Sequence, residues 1–141
     1  VTLSHPHGQI YAYSFLPPKI EKMLQVANDH LVKTGKVLLD EVIKREIKDE
    51  KRIIAQNSEW IAYVPYAARY PFEIHIAPLR GVSNMSGLDE NQSATFAPIA
   101  KEVLSRLDGV FGIEMAYIAS WYQAPDVRAH QQQYLIHLVK F

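Results

Sequence analysis

Three short apolar segments near the middle of the chain, separated by very short links, most constrain what this sequence can fold into. Residues Ile53–Gln56, Trp60–Pro65 and Phe72–Pro78 have the composition typical of strands. The links Asn57-Ser58 and Ala67–Tyr70 leave no room for a helical crossover, so successive strands are expected to pair antiparallel. The sequence therefore predicts an antiparallel sheet at the centre of the fold.

Helical spacing of apolar residues is found on both sides of these strands. Two helices, Lys19–Lys33 and Val37–Lys48, are expected before them, and a third runs from Asp89 to about Leu107 after them. Pro98 is expected to kink or divide the third helix, because proline lacks the amide donor that an interior helical position needs. Asp108-Gly109 is expected to end this helix.

Three further strand patterns complete the order of elements. They are Gln9–Phe15, Met115–Tyr122 and Tyr134–Phe141. Strand, two helices, three strands, a long helix and two strands predict an α+β fold, in which helices flank an antiparallel sheet. The whole chain, residues 1–141, is expected to form one domain. It does not begin with methionine, which favours a fragment of a longer polypeptide.

Composition excludes several kinds of site. The chain has 141 residues with 15 lysines plus arginines and 15 aspartates plus glutamates, so its balanced charge gives no general case for binding nucleic acid. It contains no cysteine, which excludes disulfides and thiolate ligands within it and is compatible with the cytoplasm. No apolar run is long enough to span a bilayer, so no membrane association is expected.

The segment His5-Pro6-His7-Gly8-Gln9 is hard to explain by packing alone. In extended backbone, residues two apart point to the same face, so His5 and His7 are expected side by side. Gly8 allows a ligand to approach the backbone closely, and Gln9 offers an amide donor to a phosphoryl oxygen. A neutral imidazole is also a competent nucleophile near neutral pH. Taken alone, the two histidines fit a catalytic site about as well as they fit the two non-catalytic explanations, a metal pair or a surface pattern.

Longer stretches of the chain resemble the galactose-1-phosphate uridylyltransferases, which belong to the histidine-triad superfamily. The residues that carry the resemblance are Ser4–Tyr13, Ser14–Pro17, Trp60–Glu73, Ser120–Pro125 and Tyr134–Phe141. The resemblance implies a histidine-triad-like fold and the C-terminal half of a longer enzyme. Residues 1–17 are then expected to carry the active-site strand, and residues 18–141 are expected to form the core of that C-terminal half.

The resemblance also implies a reaction and its residues. His7 matches the nucleophile that takes the uridylyl group from UDP-glucose and passes it to galactose 1-phosphate, in a ping-pong reaction. Gln9 matches the glutamine that stabilises this intermediate, while Thr2 and Gly8 are expected to help hold the phosphate. His5 matches a ligand of a structural zinc ion found in many members. A cytoplasmic homodimer is the expected assembly.

Several positions depart from the family pattern. Where many members build a second metal site, this sequence has Met23, Tyr122, Leu135 and His137, and methionine and leucine do not bind a hard metal. No metal is therefore expected at this second site. The remaining zinc ligands and the loop that binds the hexose phosphate are not found in these residues, so the isolated chain is expected to be inactive.

Other histidines and arginines are given structural roles. His30 is expected on the solvent-exposed side of a helix, and His75 and His137 as structural residues of strands. Arg69 and Arg80 are expected to be surface residues rather than phosphate ligands.

Two alternatives remain open: another nucleotidyl transferase or hydrolase of the superfamily, for example one that acts on adenylyl groups, and a non-catalytic half-domain that serves in dimerisation.

Overall fold

The computed structural model describes residues 7–124 and the backbone of residues 135–140. Thr2 and His5 lie outside the described residues. The elements in chain order are α1 (Pro18–Thr34), α2 (Leu38–Asp49), β1 (Ile53–Gln56), β2 (Trp60–Tyr63), β3 (Glu73–Pro78), a 3-10 turn (Met85–Gly87), α3 (Glu90–Phe111), β4 (Tyr117–Tyr122) and β5 (Leu135–Lys140).

The strands form one sheet in the order β1-β2-β3-β5-β4. Every neighbouring pair is antiparallel. The α+β fold and the antiparallel sheet predicted from the sequence are thus confirmed. The last strand along the chain lies inside the sheet, where His137 is paired by its backbone with His75 on one side and Ser120 on the other.

Side-chain alternation divides the sheet into two packed faces. The helix α3 covers one face, where Trp60 is fully buried and its indole donates to the backbone oxygen of Gln92 at 2.8 Å. The helix α2 covers the other face, where Ile43 packs against Tyr63. Core residues on the α3 side are Ala55, Trp60, Ala62, Ile74, Ile76, Val82, Ile99, Val103 and Leu107. Those on the α2 side are Ile43, Ile61, Tyr63 and Ala77.

The helix boundaries follow local capping chemistry. Gly35 adopts φ 69° and ends α1, a left-handed conformation that glycine enters without a Cβ clash. Asp89 starts α3 with a capping box, since its side chain accepts from the amide of Gln92 and the Gln92 side chain accepts from the amide of Asp89. Both boundaries were expected from the sequence.

The helix α3 is longer than expected, and Pro98 does not divide it. The helix continues through Pro98 without a break and extends past Asp108-Gly109 to Phe111. Gly112, at φ 68°, is the residue that ends it. Asp108 stays helical, and its side chain accepts from the backbone amide of Met115 at 3.0 Å, so it fixes the loop after the helix.

The strand expected at Gln9–Phe15 is not formed. Residues 7–17, the described part of the predicted active-site strand, have no strand partner, and Ile10 is fully exposed. The rings of Tyr11 and Tyr13 stack on each other, with 6.4 Å between centroids, rather than on the sheet. A strand requires a neighbour that pairs with its backbone, and the five described strands pair only among themselves.

No helix within the described residues is long and apolar enough to cross a membrane.

Candidate active site

The described part of the histidine motif lies on the surface. His7 and Gln9 are exposed, and a Cβ added at Gly8 would meet nothing within 4 Å, so the backbone here is open to a ligand. The hydroxyl of Tyr11 donates to the side-chain oxygen of Gln9. This bond orients the amide and leaves its NH₂ group to donate elsewhere. His5 and Pro6, which precede His7 in the motif, lie outside the described residues.

A lysine connects the start of α1 to the sheet. The ammonium of Lys19 donates to the hydroxyl of Tyr122 at 2.5 Å and lies 4.5 Å from the centroid of that ring. Met23, one turn further along α1, lines the same cleft. A fixed positive charge therefore lies beside two of the positions where the sequence departs from the family's second metal site.

No metal site emerges from the residues that can be described. Within them, no group of three or more histidine, aspartate or glutamate side chains is arranged to hold an ion. His5, the candidate zinc ligand, is not among them, and neither is the side chain of His137. The described donors therefore do not form a zinc site, and the absence of a second-site metal stays a prediction.

The face of the sheet that packs against α2 carries two buried carboxylates that the sequence did not reveal. Glu73 is 3% exposed and accepts from the backbone amides of Arg69 and Tyr70, at 2.6 and 3.1 Å. These bonds fix the loop between β2 and β3. This loop ends at Phe72, which has a positive φ of 58°.

The second buried carboxylate belongs to Glu46 in α2, which is also 3% exposed. It accepts two hydrogen bonds from the guanidinium of Arg52, at 2.8 and 3.2 Å. Burial raises the pKa of the nearby Tyr63 hydroxyl, and the negative charge of Glu46 raises it further. Helical spacing could not reveal this ion pair, because Arg52 follows the turn that ends α2.

The histidines and arginines named from the sequence take different positions. His75 pairs with Glu73 at 3.3 Å, and its ring packs edge-on against Tyr63, which confirms its structural role. His30 was expected at the surface, but it is half-buried, and among the described residues its Nε2 has no hydrogen-bond partner. The reason is that His30 faces the cleft between α1 and α2.

Arg80 is engaged within the protein. Its guanidinium binds Asp89 and also donates to the side chain of Gln92 at 3.1 Å, as expected for an arginine that is not a phosphate ligand. The pKa of Asp89 is lowered, first by the hydrogen bond from the Gln92 amide and then by Arg80. Arg69, by contrast, lines the cleft.

Comparison with known proteins identifies the family. Residues 21–140 match the model described as "Galactose-1-phosphate uridyl transferase, C-terminal domain". The chain belongs to the galactose-1-phosphate uridylyltransferase family. The galactose-1-phosphate uridylyltransferase of Streptomyces lividans is 42% identical over 129 residues, which cover 89% of this chain and 36% of that protein. The enzyme of Haemophilus influenzae is 35% identical over 94% of this chain and 38% of its own length.

Solved structures agree with this assignment. A uridylyltransferase structure superposes with a TM-score of 0.91 at 35% identity, covering 100% of this chain and 44% of that one. The histidine triad nucleotide-binding protein of Candida albicans matches with a TM-score of 0.53 at 12% identity, covering 70% of this chain and 73% of its own, and shows the fold alone. The chain thus spans less than half the length of these uridylyltransferases.

The residues matched by the family model begin at 21, after the His-Pro-His segment, so this match does not test the predicted role of His7.

Proposed function

We propose that this chain is the C-terminal part of a UDP-glucose–hexose-1-phosphate uridylyltransferase and supplies its nucleophile, His7. One observation carries the proposal. This chain is 42% identical to a galactose-1-phosphate uridylyltransferase, and its sequence contains an intact His-Pro-His-Gly-Gln segment. UDP-glucose and galactose 1-phosphate are the proposed substrates, and a cytoplasmic homodimer is the proposed form.

The reaction proceeds in two displacements at one phosphorus atom. The free nitrogen of His7 attacks the α-phosphorus of UDP-glucose, a P–N bond forms, and the P–O bond to glucose 1-phosphate breaks. A phosphate oxygen of galactose 1-phosphate then attacks the same phosphorus, and the P–N bond breaks. UDP-galactose leaves, and His7 returns to its starting state.

The neighbours of His7 assist by position. The Gln9 amide donates to a non-bridging oxygen, where negative charge grows in the transition state. The open space beside Gly8 lets the phosphate approach the backbone, and Thr2 completes the proposed phosphate site. His5 is the proposed ligand of a structural zinc ion, which takes no part in either displacement.

A labelling experiment tests the proposal in the longer protein that contains this chain. The protein is incubated with UDP-glucose carrying ³²P in the α-phosphate and is then quenched. We expect acid-labile, alkali-stable label on the unmodified protein and on the control variant His30→Gln, but none on His7→Gly. Addition of galactose 1-phosphate should discharge the label.

The alternatives give different outcomes. Label from an adenylylated donor but not from UDP-glucose would assign the protein to another transferase branch of the superfamily. If neither donor labels the protein, the interpretation as a non-catalytic half-domain is favoured.

A further inference from the structure

A large cleft opens between α1, α2 and the sheet face that carries Tyr63 and His75. Its volume is about 1260 Å³, which exceeds the roughly 300–1,000 Å³ typical of small-molecule pockets. The helices contribute an apolar wall. Its residues are Met23, Val26, Ala27, Leu38, Leu39 and Val42. The cleft is therefore large enough, and apolar enough on one side, for a ligand of nucleotide size.

Each carboxylate that lines the cleft already has a partner. Glu41 binds Lys36 at 3.3 Å, and Glu46 and Asp49 bind Arg52 at 2.8 and 3.4 Å. The fourth carboxylate, of the buried Glu73, accepts from loop amides and from His75. Each of the four carboxylates is thus bound within the protein.

Four cations that line the cleft are not compensated in this way. The ammonium of Lys19 donates to the hydroxyl of Tyr122 rather than to a carboxylate. Lys22, Arg45 and Arg69 are exposed, and none has a carboxylate partner among residues 7–124. Lys22 donates only to the neutral side chain of Gln25, at 3.0 Å. These charges come from two helices and a loop that all line the cleft. The cleft is accordingly complementary to an anion.

An aromatic ring lies at the same opening. Tyr66 is 87% exposed, and the Arg52 guanidinium lies 5.5 Å from its ring centroid. Arg52 is itself fixed by two hydrogen bonds to Glu46. Arg69 follows three residues later, in the loop that Glu73 holds. A flat aromatic base can stack on the exposed Tyr66 ring, which Arg52 supports by a cation–π contact. The uncompensated Arg69 can bind a phosphate attached to that base.

We propose that this cleft binds a nucleoside phosphate, with its base on Tyr66 and its phosphate between Arg45, Lys22 and Arg69. Inorganic phosphate would make no use of the exposed Tyr66 ring, and a free nucleoside would make no use of the cations. The site shares no residue with the His7 motif, so it is separate from the proposed site of uridylyl transfer.

Calorimetric titration of the chain with UMP, uridine and inorganic phosphate tests the inference. We expect UMP to bind more tightly than either of its parts, and more weakly as salt is added. Arg69→Gln should weaken UMP binding about tenfold by removing a charged contact. Tyr66→Ala should lower the affinity for UMP to that measured for inorganic phosphate. The matched control Arg106→Gln changes an exposed arginine of α3, on the other side of the sheet, and should bind normally.

The His7→Ala variant separates this site from the catalytic motif. Binding of UMP to His7→Ala with unchanged affinity supports a second site, whether or not the protein transfers uridylyl groups. The inference is overturned if UMP does not bind, if Arg69→Gln and Tyr66→Ala bind as the unmodified chain does, or if His7→Ala abolishes binding.

Discussion

Tyr63 places a phenol hydroxyl beside the carboxylate of Glu46 in the interior, and only 1% of its surface remains exposed. Burial, and then the negative charge of Glu46, raise the pKa of this hydroxyl above its ordinary value of about 10. The folded chain therefore keeps the Tyr63 proton at a pH where the unfolded chain loses it.

This difference predicts an alkaline loss of stability that depends on one hydroxyl. Below pH 10 both states keep the proton, so the full stability is present. As pH rises above about 10 the unfolded state ionises first, and the free energy of unfolding falls. Urea midpoints measured from pH 8 to pH 11 should decline less steeply for Tyr63→Phe than for the unmodified chain.

Tyr66→Phe is the matched control, because its ring is exposed rather than buried. It should decline as the unmodified chain does. An equally steep decline in Tyr63→Phe would show that the buried hydroxyl does not couple to folding.

The residues described in the candidate active site could be predicted only in part from the sequence. Alternation correctly gave His75 a structural place in its strand. The buried positions of Glu46 and Glu73 could not be found, because each depends on a contact made across a turn. Glu46 reaches Arg52 only because Glu50 adopts φ 55° and reverses the chain. Spacing along a helix or strand does not encode such reversals.

At the scale of elements, local chemistry was a good guide to where helices begin. Asp89 and Gln92 supply a capping box, and this pattern involves only neighbouring residues. The end of α3 was less predictable, because Gly109 and Gly112 are both candidates. Asp108 stays helical and accepts from the Met115 amide across the following loop, a contact that helical spacing does not encode.

The strand predicted at Gln9–Phe15 failed for a different reason. Its alternating side chains have the right pattern, but a strand is stable only beside another strand. Pairing is set by residues distant in sequence, which a local pattern cannot reveal. The five strands that did form each have a partner among the described residues.

Pro98 gives a prediction about helix stability. It lies in the interior of α3 on an exposed face, where it supplies no amide donor and its ring crowds the carbonyl of Ala94. Proline costs about 3 kcal/mol relative to alanine in a helix interior, a difference that already includes its restriction of the unfolded chain. Pro98→Ala should therefore raise the free energy of unfolding by about 3 kcal/mol in urea denaturation.

Ser93→Ala, an exposed change in the same helix, is the control and should add only a few tenths of a kcal/mol. A Pro98→Ala variant that is no more stable than the unmodified chain would mean that the helix relieves the proline strain by local bending.

At the scale of the whole molecule, the packed unit and the histidine motif are structurally distinct. Residues from α1 onward build the sheet and its helices, whereas residues 7–17 form no strand and expose their aromatic rings. The chain also spans only 36% of the Streptomyces lividans relative. Under the proposed function, the remaining polypeptide supplies the strand neighbours that this segment lacks.

Limited proteolysis with chymotrypsin tests that arrangement. Among the described residues, we expect the first cuts after Tyr11, Tyr13 and Phe15, because their side chains are exposed and no strand holds their backbone. Tyr66 is also exposed, but its loop is fixed by Glu73 and should be cut more slowly.

The same digestion of the longer protein decides where the motif belongs. If the additional polypeptide pairs with residues 7–17, the three early cuts should disappear while cutting at Tyr66 continues at its former rate. Mass spectrometry of the fragments distinguishes these sites, and Tyr66 reports any general change in protease activity. Early cuts that persist at Tyr11, Tyr13 and Phe15 would show that His7 stays on an unpaired segment. A uridylyl group attached there would then lack the enclosure that protects it from water.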